Sequence, residues 1–191
     1  MKLQKGTKGY ICAKKKRAIL KTCLEFGIVL ALLILGVIET GDRMNVLTIV
    51  AILGCLPASK DLVELIMIMP HHSIELQKAE EIAEKARHLT IIYDMVFTSE
   101  KKIMPVEAIV ISDHTICGYS SNTKVAANEV GQHIKQYLMA NKYTKASVKI
   151  FDDYTAFLSR VEDMSLLADR ENEETKKKET AISRVILNLS L

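Results

Sequence analysis

Two uninterrupted apolar runs near the N-terminus, residues 26–38 and 44–56, are parted by the polar break Glu39-Thr40-Gly41-Asp42-Arg43. A membrane-crossing helix takes about 20 mostly apolar residues. The first helix is therefore expected to begin near Thr22 and carry Glu25 in its first turn, where the carboxylate reaches the headgroups or pairs with Lys21. The second helix, without such an extension, is the shorter, and Pro57-Ala58-Ser59-Lys60 should end it. At about 1.5 Å of rise per residue it only just crosses a thin hydrocarbon layer. Two buried helices of a soluble core are the alternative, but an aliphatic run beside a basic flank favours a transmembrane hairpin over residues 22–58.

Beyond the hairpin the pattern breaks into shorter pieces. Residues 62–69 are apolar but carry Glu64, and eight residues are too few to span. They are expected to lie on the membrane surface or pack under the domain, within a juxtamembrane segment 59–72 closed by Pro70-His71-His72. Ser73 reads as the N-cap of a helix with Ala79, Ile82, Ala83, Ala86 and Leu89 on one face and Lys78, Glu81, Glu84 and Lys85 on the other.

From Ile91 the period changes to that of strands: residues 91–97, 106–112 and 115–120, the last two joined by a turn at Ser112-Asp113-His114. Ala108-Ile109-Val110-Ile111 is apolar on both faces, which predicts a central strand. A helix starting at Asn122 or Thr123 follows, with Ala127, Val130, Ile134, Tyr137 and Leu138 on its face and its end near Asn141. A strand over 148–151 and a helix marked by Tyr154, Phe157, Leu158 and Val161 complete the unit. The predicted fold is thus membrane-anchored α/β: a two-helix hairpin, then a small mixed-sheet domain over 73–164 in α-β-β-β-α-β-α order. The tail, 165–191, is a charged helix in which Glu173/Lys177 and Glu174/Lys178 have the favourable i, i+4 sense. It ends in an apolar stripe of Ile182, Val185, Ile186 and Leu189. That stripe docks on the domain or a second copy, or forms a surface for a partner protein.

Charge adds an orientation. The chain of 191 residues carries a net +3, but eight of its 26 basic groups and none of its 23 acids lie in the first 21 residues. The bias of Lys and Arg toward the cytoplasm puts this basic arm, 1–21, and the C-terminal domain inside and the connecting loop out, at the cell membrane. A cleaved signal peptide is disfavoured, because Val37-Ile38-Glu39-Thr40 offers no small-x-small site. Lys14, Lys15, Lys16 and Arg17 are candidate contacts for anionic lipid, or simply a topology signal. The rest of the chain is acidic, with 18 basic groups against those 23 acids, so no nucleic-acid partner is expected. Cys12, Cys23, Cys55 and Cys117 lack any Cys-x-x-Cys spacing and read as free thiols of a reducing compartment.

Candidate chemistry is sparse, and no metal or cofactor site is expected. His71-His72 has no acid or thiol at ligand spacing and reads as a turn. Asp113-His114 with Cys117 can be drawn as a thiol nucleophile with its base, but a strand cysteine is more naturally a small buried residue. Asp152-Asp153 after a strand is expected to cap a helix. No phosphate-binding glycine loop, Gly-x-Ser-x-Gly or zinc spacing occurs.

The element order from Ser73 to Val161 resembles the core of the restriction-endonuclease-like fold. Active members of that family carry Pro-Asp at the start of the second strand and Asp/Glu-x-Lys on the third, holding a magnesium ion and activating water. Here Pro105-Val106-Glu107 stands at the first position and Cys117-Gly118-Tyr119 at the second. The resemblance therefore implies a copy without the acid and lysine that metal-assisted phosphodiester cleavage needs. The whole chain, notably residues 51–60 and 148–157, is also similar to a family of small two-span membrane proteins of Gram-positive anaerobes. Some of those are labelled as resembling O-linked N-acetylglucosamine transferases.

The expected function is a membrane-anchored cytoplasmic domain that binds or scaffolds without catalysis. A metal-dependent nuclease using Glu107 with Asp113 or Asp94 is the alternative, and glycosyl transfer is a second, by family label alone. Expected partners are the lipid bilayer and a protein or second copy at the C-terminal helix.

Overall fold

A computed structural model describes residues 4–41, 45–99, 102–122, 126–168 and 173–190. Asp42 and Arg43 of the break, Thr123 and residues 170–172 of the charged run lie outside the described residues. The chain divides into two compact units, residues 11–72 and the combination of residues 1–10 with 73–191.

The first unit is a helical hairpin. α1 (Tyr10–Thr40) and α2 (Val46–Ile68) are both long and apolar enough to cross a membrane, and only 11% of the apolar window of each is buried. A core helix of a soluble protein is mostly covered, and these two are mostly bare. Small residues line the contact between them: Ala51 and Ala58 are fully buried, and a Cβ on Gly54 would stand 3.2 Å from Val29. Asn45 caps α2, its side chain accepting from the Thr48 amide at 2.8 Å.

Both helices overrun their expected limits. α1 starts twelve residues before Thr22, so most of the basic segment is helical and continuous with the apolar run. α2 passes through Pro57 to Ile68, so residues 62–68 continue the second helix instead of forming a separate surface segment. An interior proline forfeits a backbone bond. Beyond the proline, ion pairs tie α2 to α1: Lys21 with Asp61 (2.5 Å) and Lys14 with Glu64 (3.1 Å), while Lys21 also meets Glu25 at 3.7 Å.

The second unit is a three-layer sandwich. β1 (Thr90–Thr98), β2 (Ile103–Ser112) and β3 (Thr115–Tyr119) form an antiparallel meander, and β4 (Ser147–Phe151) pairs parallel to β3, giving the order β1-β2-β3-β4. α3 (Leu76–Lys85) and α5 (Tyr154–Leu167) cover one face, with Ile82, Phe157 and Val161 against Ala108, Val110 and Cys117. α4 (Ala127–Ala140) and α6 (Glu173–Leu189) cover the other, with Ile134, Leu138, Ile182 and Ile186 against Ile109, Ile111 and Ile116. Residues 108–111 are fully buried, as their two-faced apolarity predicts.

Two details depart from expectation, and one open reading is realised. α3 is capped by Glu75 without a side-chain bond, not by Ser73, and Ala83 is exposed. α4 begins at Ala127, later than Asn122. The terminal stripe is inward: Ile182 and Ile186 are fully buried, with Val185 and Leu189 packed beside them. Of the readings open for those four residues, docking on their own domain is the one realised, because the sheet face beside α4 is apolar and wide enough to need a second helix.

Candidate functional site

Both β1 and β2 break their alternation at one rung. In β1, Ile92 faces the α4/α6 side and Tyr93 the α3/α5 side, yet Met95 and Phe97 face the α4/α6 side again. In β2, Val106 and Ile109 face α4/α6 while Ala108 faces α3/α5. One residue is taken out of each strand, Asp94 and Glu107, and because they stand opposite one another the register is kept at Tyr93↔Ala108 and Met95↔Val106. Asp94 achieves this with φ of 57°, a left-handed conformation that aspartate tolerates better than most residues.

These two carboxylates are the nearest approach to a reactive pair. Asp94 is 3% exposed; its Oδ1 accepts from the Ile74 amide at 2.9 Å, and Oδ2 has no partner among the described residues. Glu107 Oε1 accepts from the Ser121 hydroxyl. Asp113 is not part of this place. It lies six residues along from Glu107, about 20 Å at strand rise, in the β2–β3 turn with φ of 48°. Its carboxylate is 3.7 Å from His114, and its amide donates to Glu179 Oε1 at 3.0 Å. The pairing of Glu107 with Asp113 is thereby corrected by distance. Among the described residues no three His, Cys, Asp or Glu side chains gather in a way that holds a metal.

Next to Glu107 a polar seam runs between α3, the end of β3 and the start of α5. The Tyr154 hydroxyl donates to Glu81 Oε2 at 2.8 Å, and the Tyr93 hydroxyl to the Ala79 carbonyl at 3.0 Å. Tyr119 and Tyr154 meet edge to face at 5.3 Å, and Lys78 Nζ sits 5.6 Å above the Tyr154 ring. Burial raises the pKa of Tyr154, with the bond to Glu81 adding to it, and burial followed by Glu107 raises that of Tyr119. Burial works against the Lys78 ammonium, but the bond to Glu75 and the fields of Tyr119 and Glu107 outweigh it and leave its pKa raised. The seam thus gathers phenols of raised pKa around the Lys78 ammonium. Periodicity had placed Lys78 and Glu81 on a merely solvated face; the signal available was three tyrosines on three separate elements.

The other candidates resolve singly. Cys117 is 1% exposed and burial pushes its thiol up, with Arg160 opposing, so it is packing and not a nucleophile. Asp153 caps α5, accepting from the Thr155 and Ala156 amides. Burial, then Lys15 and His72, hold His71 below the ordinary imidazole value. Of the basic quartet on α1, Lys14 is engaged by Glu64, Lys15 is half-buried, and Lys16 and Arg17 are exposed. No family model, curated protein or solved structure matches this chain.

Proposed function

We propose that the chain is a membrane-anchored binding domain: the hairpin holds it in the bilayer, and the seam around Lys78, Tyr119 and Tyr154 recognises a partner without transforming it. The carrying observation is that the chemistry-bearing groups are committed elsewhere. Glu107 is engaged by Ser121, one Asp94 oxygen by the Ile74 amide, and the Cys117 thiol is buried. The eight basic residues before Thr22 support a cytoplasmic position for both ends of the hairpin. Lys16 and Arg17, exposed on α1, are the members of the basic quartet best placed for lipid phosphate.

A metal-dependent nuclease is the second reading, favoured by the α-β-β-β-α-β order and by Asp94 and Glu107 occupying the same unpaired rung of β1 and β2. Titration of the full chain in detergent micelles with magnesium and manganese separates the two. Binding without chemistry predicts no saturable heat that depends on Glu107. A saturable ion site abolished in Glu107→Ala would sink it in favour of the nuclease.

A further inference from the structure

The strained rung at Tyr93–Asp94 has a use that no reaction requires. Two chain segments meet it, and they are the two that lead into and out of the hairpin. The Tyr93 amide donates to the Gly6 carbonyl at 2.8 Å, four residues before α1 begins. The next residue, Asp94, accepts from the Ile74 amide, two residues after the hairpin unit ends. The left-handed φ of Asp94 takes its carboxylate out of the strand's alternation, and that carboxylate is the acceptor Ile74 needs.

The entering segment is built for its place. Gly6 has φ of 87°, and a Cβ there would come within 2.8 Å of both Ile92 and Leu187, so only glycine lets the backbone lie between β1 and α6. Lys5 Nζ donates to the carbonyl of Ser190, the carbonyl end of α6 where a cation is favoured. Ser190 in turn bridges Phe97. The outer edge of β1 is thus paired at Tyr93 by the start of the chain and at Phe97 by its end, which closes an otherwise open sheet edge. Lys8 stands 4.0 Å from Glu80 on α3.

We infer that Tyr93–Asp94 is a two-point mooring that ties both roots of the hairpin to one domain, so that the hairpin is an insertion within the domain and its two ends lie on the same side of the bilayer. Asp94 is then a positioning residue, not a metal ligand. A folded sandwich cannot straddle a membrane, and the domain includes residues from both sides of the hairpin. The topological half of this inference rests on the membrane reading of the hairpin; the mooring does not.

Amide hydrogen exchange on the full chain in micelles tests the mooring. Asp94→Ala should speed exchange at Ile74 by about 10-fold to 100-fold, as expected for a lost bond to a charged acceptor. Asp94→Asn keeps the carbonyl oxygen and tolerance of the left-handed conformation, and should leave Ile74 protected; a metal ligand would not survive that change. Gly6→Ala should release Tyr93, whereas Gly9→Ala, at a similar φ of 80° but with open space around its Cβ, should not. Lys5→Ala, which touches no core group, should loosen the same amide if Gly6→Ala fails to fold. Unprotected Ile74 and Tyr93 amides in the unaltered chain would overturn the mooring. For topology, single cysteines at Gln4 and Asn188, both exposed, are placed in a chain stripped of its own four. An impermeant maleimide on sealed vesicles should label both from one side. Labelling from opposite sides overturns the inference, and a chain that leaves the vesicles overturns the anchoring while the exchange result still decides the mooring.

Discussion

Glu179 shows how far a residue's role depends on what the chain brings to it. In sequence it closes a run of charges and belongs on a solvated helix face. In the fold it is 4% exposed, and its carboxylate accepts from the Asp113 amide and, at 2.7 Å, from the Thr90 hydroxyl. α6 is latched in this way to the left-handed β2–β3 turn. Glu179→Ala strands that amide and should cost about 2 kcal/mol in chemical denaturation; Glu179→Gln, which keeps one acceptor, should cost about half as much. Asp153 is the opposite case, legible because a cap acts locally. Bonds from the Thr155 hydroxyl and amide hold its carboxyl below the ordinary value of 3.8, so its contribution is present above that pH and lost as pH falls through the depressed value. The stability gap between the unaltered chain and Asp153→Ala should therefore be full at neutral pH and close on acidification below 3.8; a gap persisting there would mean the cap acts by something other than charge. Asp94 and Glu179 were illegible because their partners lie 20 and 66 or more residues away.

For whole elements, periodicity carried most of the information. The four strands, and the buried faces of α3, α4 and α5, fall where alternating and helical patterns put them, since each pattern reports burial against a flat neighbour. Patterns fail where an element's limits are set by tertiary contacts. Pro57 signals a stop, but α2 continues to Ile68, with Asp61 and Glu64 paired to cations on α1. The stripe on α6 was visible as apolar, yet nothing local says which surface it meets. Gly118 is a further case: in sequence it weakens a strand, and in the sheet it makes room, since a Cβ there would lie 2.6 Å from Ile150 Cδ1 and 3.3 Å from Val106. Gly118→Ala should overpack the α4 face and cost about 1–3 kcal/mol. A substitution that leaves the denaturation midpoint unmoved would show that Ile150 swings clear at no cost.

At the scale of the molecule, the proposed anchoring asks how two helices with short uncharged stretches would share one bilayer. Along α1, charge is absent from residue 26 to residue 38; along α2, from 46 to 59. Each stretch is about 20 Å long at helical rise, short of the ~30 Å of a typical hydrocarbon core. The deficit falls at the end where Lys21 pairs with both Glu25 and Asp61. A paired, hydrogen-bonded cluster on long side chains enters the interface far more readily than lone charges, so the hydrophobic reach extends to Lys21, and the span from there to Glu39 is about 27 Å. Full crossing is thus conditional on that pairing. A cysteine at exposed Glu39 should be labelled only from the side opposite one at Gln4. Asp61→Leu, which leaves Lys21 and Glu25 without their cross-hairpin partner, should reduce that far-side labelling. Labelling of Glu39 from the domain side alone would show that the hairpin dips into the bilayer and returns, with the charge cluster marking the depth it reaches.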